Sequence, residues 1–145
     1  MEERQKQVKR CFWANPKNPL YIKYHDEEWG QPVHDDAKLL ELLILECFQA
    51  GLSWECVLNK REAFREAFDG FDRDTILAYN EKKIDELMST SGIIRNRAKI
   101  KAAISNTSVF KSIQEESGSF DAYLSGLCPK EPIFDHTSTT STISD

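Results

Sequence analysis

The chain is poor in the residues that build sheets and tight connections: 145 residues hold only 6 glycines and 5 prolines, and alternation of β-branched with polar residues is nearly absent. That pattern excludes a sandwich or barrel and leaves an all-α fold. No apolar run is long enough to span a bilayer, and Met1 to Arg10 is a charged lead-in with no cleavable signal, so a cytoplasmic protein without a membrane partner is expected. The cysteines Cys11, Cys47, Cys56 and Cys128 include no CxxC pair, which removes the usual sign of a disulfide framework. Acidic residues outnumber basic ones by 24 to 19, so the chain does not bind nucleic acid by being basic all over, and any such site must be local. A phosphate-cradling GxxxxGK[ST], a nucleophile elbow and a GxGxxG are also absent. With 40% hydrophobic residues, one compact domain and a monomer are expected.

What is present centres on residues 35–54. Asp35 or Asp36 suits a helix cap, Lys38 to Gln49 is apolar on nearly every side, and Gly51 is a natural stop. Leu39, Leu42, Leu43 and Glu46 recur at spacings of three and four, which predicts a carboxylate on a buried leucine face in the last turn of a central helix. An anion there opposes both burial and the negative end of the helix dipole. Two readings stand side by side: an ion pair with a core Arg or escape to solvent, or a carboxylate awaiting a ligand with positive charge or donors. Trp54, just past Gly51, offers an aromatic face beside it.

Upstream, residues 11–19 read as an ordered loop, and Leu20 to Gly30 sets aromatics and a His among acids. Tyr21, Tyr24 and His25 would share one side of a helical turn, either as core with polar tips or as a pocket wall for a flat ligand. Downstream, 52–59 and 62–68 read as short helices with Phe64, Phe68 and Phe71 in the core, and Asp72 and Asn80 as caps of two more. Near 87–104 a helix ends, Gly92 turns the chain, Ile93 and Ile94 anchor the turn, and Arg95, Arg97, Lys99 and Lys101 follow with no acid before Ala103. This is the pattern of a helix-hairpin-helix suited to phosphate, although a basic helix is commonly just a solvated face. Residues 106–116 continue as an amphipathic helix with Val109, Phe110 and Ile113, and Ser119 starts another. From 129 to 145 the chain is a polar, irregular tail.

The motifs Cys11-x-Trp13, Pro19-Leu20-Tyr21-Ile22-x-Tyr24-His25-Asp26-x-Glu28-Trp29-Gly30, Leu45-Glu46-x-x-Gln49-Ala50-Gly51-Leu52-Ser53-Trp54 and Gly92-Ile93-Ile94-Arg95-x-Arg97-x-Lys99-Ile100 together resemble the 3-methyladenine DNA glycosylase I family of helix-hairpin-helix base-excision enzymes. The resemblance implies a compact helical glycosylase domain over 11–128 that flips 3-methyladenine out of alkylated double-stranded DNA and hydrolyses its N-glycosidic bond, leaving an abasic site and the free base. Methylation makes the base a cationic leaving group, so little acid catalysis is needed. Glu46 would be the catalytic group, accepting hydrogen bonds from the base edge. Trp54 would stack on the base, with Tyr21, Tyr24 and Trp29 lining the pocket. Leu52 would wedge into the gap left by the flipped nucleotide, and Gly92, Ile94, Arg95, Arg97 and Lys99 would face DNA. Asp121 lies where many other hairpin glycosylases place a catalytic Asp, although it also suits a helix start.

The resemblance also implies one structural zinc, with Cys11 and His25 matching the family's first ligand pair. The second pair sits on a last helix beyond the point where this sequence stops, so either the sequence is part of a longer protein or the site has been lost, and Cys128 and His136 do not match its context. An incomplete site is expected, because structural zinc takes four protein ligands. The rival to the enzyme is a non-catalytic DNA-binding module that keeps hairpin and pocket. A zinc-stabilised scaffold without a DNA role is a third reading.

Overall fold

The computed structural model describes residues 8–133. Among these the regular structure is helical throughout: α1 (Pro19–Glu27), α2 (Asp36–Gln49), α3 (Trp54–Asn59), α4 (Arg61–Ala67), α5 (Arg73–Leu77), α6 (Glu81–Met88), α7 (Arg97–Ser117) and α8 (Phe120–Leu127), with a short 3-10 turn at Asp69–Phe71. The tail residues 134–145, and with them His136, lie outside the described residues. The described residues fall into two compact units, one ending at Gln31 and the other spanning Pro32–Ile133.

Within the larger unit α2 is the centre, touching α3, α7, α8 and the 3-10 turn. Its start is capped by Asp35, whose side chain accepts from the Ala37 amide, as the sequence led one to expect. Leu40, Ile44, Leu45 and Phe48 are its buried residues, and the Phe48 ring meets Phe64 and Phe68 at 4.8 and 5.9 Å. Asp72 and Asn80 cap α5 and α6 through the amides of Thr75 and Lys83, and Ser119 caps α8.

The basic helix and the amphipathic segment after it are one long helix, α7, capped by Asn96 through the Lys99 amide. Ile100, Ala103, Thr107 and Phe110 are its inward residues, so Val109, one position out of phase, is 55% exposed rather than in the core. The Thr107 hydroxyl donates to the Ala103 carbonyl at 2.7 Å, which satisfies it without leaving the helix. Phe110 stacks on Phe120 of α8 at 4.3 Å.

The connection between α6 and α7 turns at Gly92, which has φ of +89°. A Cβ there would come within 3.0 Å of the Ala63 Cβ, so the turn lies pressed against α4 and only glycine fits. Ile93 is buried beneath the turn.

Candidate functional site

Glu46 is where the sequence placed it along the chain, in the last turn of α2, but the reading that it is buried is corrected: the residue is exposed. Both sides of α2 carry leucines, so the leucine spacing alone could not tell core from flank. The core stripe is Leu40, Ile44, Leu45 and Phe48, while Leu39, Leu42, Leu43 and Glu46 lie on a flank whose leucines are only half-buried. The packing around it still withdraws enough water from the carboxyl to push its pKa upward.

No hydrogen bond or ion pair to Glu46 occurs among the described residues. The arginines that could have neutralised it go elsewhere. Glu41, more than one turn earlier, accepts from Arg61 Nε at 2.8 Å and Arg65 Nε at 2.7 Å, with Arg65 also bound to Glu62. Of the readings of Glu46, the internal ion pair is not provided by its surroundings, whereas its exposure agrees with escape to solvent and leaves the carboxylate open to a ligand.

Just beyond Glu46, α2 breaks in a tight turn. The Leu52 amide donates to the Gln49 carbonyl at 2.6 Å, Ala50 adopts φ −47° and ψ 119°, and Gly51 has φ of +78°. This is the geometry of a type II turn, whose third residue needs a positive φ and hence glycine. Leu52, at the end of the turn, is 42% exposed. Ser53 then caps α3 through the Cys56 amide at 3.1 Å, and Trp54 follows with only 6% of its surface accessible. Little of that ring is open for stacking in this conformation.

The start of α7 abuts this turn. Lys99 Nζ donates to the carbonyls of Phe48 at 2.8 Å and Ala50 at 2.6 Å, and Asn106 Nδ2 reaches Cys47 Sγ at 3.6 Å. The structure thus brings the end of α2, the Leu52 turn and the start of α7 together. It also divides the basic residues assigned to DNA. Arg97 binds Asp85 and, at 3.3 Å, Glu81, and Lys101 lies 3.5 Å from Glu81. Arg95 is exposed and makes no ion pair or hydrogen bond among the described residues. Gly92 and Ile94 sit in the turn beside it, Ile94 half-buried.

Asp121 lies at the far end of α2. Its amide and that of Phe120 donate to the Asp36 carboxylate at 3.0 and 2.9 Å, and its side chain pairs with His34 at 2.9 Å. From Asp36 to Glu46 is about 15 Å along the helix axis at 1.5 Å per residue, so Asp121 serves the start of α8 rather than the Glu46 end.

In the smaller unit, Asn18 caps α1 and Pro19 opens it. Tyr21, Tyr24, His25 and Trp29 gather around Trp13, whose ring lies 5.4 Å from Tyr21, 6.5 Å from Tyr24 and 5.2 Å from both His25 and Trp29. Tyr21 is 6% exposed, so packing accounts for much of that ring, while Trp29 is 41% exposed. The role of Trp13 as hub was not read from the sequence. Its one signal was an aromatic pair set in a loop directly before the proline-led helix.

Cys11 and His25 are adjacent as well. The Cys11 amide donates to His25 Nε2 at 3.2 Å, and His25 Nδ1 meets Asp26 Oδ1 at 2.9 Å, which makes Nδ1 the protonated nitrogen. Arg10 clamps Asp26 through Nε and Nη2, and these hydrogen bonds, with that of His25, hold the Asp26 carboxyl at about 2. Among the described residues no group of three or more His, Cys, Asp or Glu is placed to hold a metal, and Cys128 is exposed. Two donors do not make a structural zinc site, so no step below runs through zinc.

The family model for methyladenine glycosylase matches residues 13–145. The chain belongs to the methyladenine glycosylase family. It is 39% identical over 136 residues to the DNA-3-methyladenine glycosylase 1 of Escherichia coli (strain K12), an alignment that covers 94% of this chain and 72% of that relative. It is 41% identical over 124 residues to the DNA-3-methyladenine glycosylase of Haemophilus influenzae, covering 86% of this chain and 66% of the relative. A crystal structure of a 3-methyladenine DNA glycosylase I superposes with a TM-score of 0.77 at 44% identity, over 81% of this chain and 64% of that one. The all-α architecture is therefore that of the methyladenine glycosylases, and this chain spans roughly two thirds of their length.

Proposed function

We propose that the chain is a DNA-3-methyladenine glycosylase that hydrolyses the N-glycosidic bond of 3-methyladenine flipped out of alkylated double-stranded DNA, releasing the free base and leaving an abasic site. The observation that carries the reading is Glu46: a carboxylate in the last turn of the central helix, with its pKa raised by desolvation and no partner among the described residues, in a member of this family. A charged group left without compensation costs stability, and a ligand that brings positive charge and donors removes that cost.

Methylation at the ring nitrogen leaves the base electron-poor, so the glycosidic bond breaks with the base departing neutral. Glu46 contributes by accepting hydrogen bonds from the base edge and favouring its positive charge in the bound state. Leu52, exposed on its glycine turn, suits the gap opened by the flipped nucleotide. The aromatic rings of Tyr21, Tyr24 and Trp29 are a second feature suited to a planar base. On the DNA side Arg95, without a partner among the described residues and beside the free amides at the start of α7, is the leading phosphate contact, and Gly92 and Ile94 shape the turn that presents it.

The test is release of free 3-methyladenine from methylated duplex DNA by the 145-residue chain. Release that is lost in Glu46→Gln supports the reading. Salt-sensitive duplex binding with no release replaces it with a non-catalytic DNA-binding module, and neither binding nor release overturns both.

A further inference from the structure

The charge on Lys99 is in an unusual place. It is the third residue of α7, near the positive end of that helix's dipole, where a cation is disfavoured. Its ammonium is nevertheless engaged with the carbonyls of Phe48 and Ala50, at the negative end of α2. These two acceptors lie on either side of the break in α2. The Phe48 carbonyl belongs to the last turn, where the Leu52 amide that would have served it as the i+4 donor bonds to Gln49 instead. The Ala50 carbonyl lies already in the type II turn. One side chain from the hairpin helix thus fixes the direction in which the chain leaves α2, and with it the position of exposed Leu52.

We propose that Lys99 is a positioning residue rather than a phosphate contact: it ties the DNA-facing hairpin to the turn that carries Leu52, so that docking of the duplex sets the wedge against the flipped nucleotide. The proposal rests on the glycosylase reading above. It adds to that reading a residue whose loss would separate duplex binding from excision, because the ammonium touches protein carbonyls rather than the nucleic acid.

Lys99→Met keeps the aliphatic stem and removes the donors. Excision from methylated duplex should fall about tenfold to a hundredfold, the effect of misplacing a group by the order of 1 Å. Duplex affinity, its salt dependence and affinity for free 3-methyladenine should stay within threefold or so of wild type, since neither phosphate nor base is touched. Lys99→Arg, which can donate to both carbonyls, should recover much of the lost rate. A loss of duplex affinity with the salt slope smaller by about 1 would show a phosphate contact and overturn the proposal. Unchanged excision, or a loss that follows the unfolded fraction in a thermal melt, would overturn it equally.

A second measurement needs no variant. Acetylation of the wild-type chain should modify Lys99 more slowly than exposed Lys82, and added duplex should leave the Lys99 rate unchanged. Fast labelling that duplex suppresses would contradict the assignment. If wild-type chain releases no base, the glycosylase reading fails while this labelling result still decides where the Lys99 ammonium is held.

Discussion

Two carboxylates on one helix have opposite circumstances. Asp36 opens α2 and Glu46 closes it. Burial raises the Asp36 carboxyl, but hydrogen bonds from Gln114 and the amides of Phe120 and Asp121 outweigh it and hold its pKa below the ordinary value. Gln114 in turn accepts from Arg73, so the network joins α2, α5, α7 and α8. At Glu46, which is exposed, partial desolvation acts alone, and the pKa goes up. The difference separates a group that holds the fold together from one that, on the proposed reading, the fold keeps for a ligand. The dipole sharpens the contrast, since an anion is favoured at the start of α2 and disfavoured at its end.

The largest expected effect breaks the satisfied end. Asp36→Ala leaves the Gln114 side chain and two amides at the head of α8 without their acceptor and should cost about 3 kcal/mol, read as a lower midpoint in urea unfolding. A loss under about 1 kcal/mol would mean that water serves those donors as well. Glu46→Ala in the same assay should be neutral or stabilising, the opposite sign.

A smaller effect sharpens the functional end. Arg95→Ala should weaken duplex binding and lower the salt slope by about 1 with no change in stability, because no partner within the described fold is lost. Arg97→Ala should instead reduce stability slightly, through its contacts to Glu81 and Asp85. Equal effects of the two on DNA binding would contradict this division of the basic residues.

The smallest effect is in pH dependence, where the two carboxylates act with opposite sign. Asp36 has a lowered pKa, so its contribution is complete above the ordinary value of 3.8 and is lost as pH falls through the lowered one. Glu46 has a raised pKa, so the folded state loses stability as pH rises from the ordinary 4.5 through the raised value. The stability difference between Glu46→Gln and wild type should therefore grow in favour of the variant above about pH 4.5 and stay flat below it. Thermal melts across pH 3 to 7 check this, and a difference that grows towards acid would reverse the assignment.

Much of this was legible in the sequence where the signal was local. The caps Asp35, Asp72, Asn80 and Ser119, the turn glycines Gly51 and Gly92 and the central place of α2 all follow from residue type and short spacing. What stayed hidden depended on partners distant in the chain. Glu46 was placed on the core face because leucines lie on both sides of α2, and only α7 and the Phe64–Phe68 pair decide which side turns inward. Arg97 and Lys99 read as facing DNA because Glu81, Asp85 and the carbonyls of Phe48 and Ala50 lie far from them in sequence. Trp13 stood in a quoted motif, yet its centrality emerges only when α1 folds its rings against the preceding loop.

Glu46→Gln tests the central claim most directly, since it keeps the volume and removes the charge. On one preparation, thermal stability and affinity for 3-methyladenine are measured together. The account predicts a protein as stable as wild type or more so, with base affinity lower by about 1.5–3 kcal/mol from the loss of a charge-assisted hydrogen bond. A destabilised variant that binds 3-methyladenine undiminished would contradict it, and would make Glu46 a structural residue.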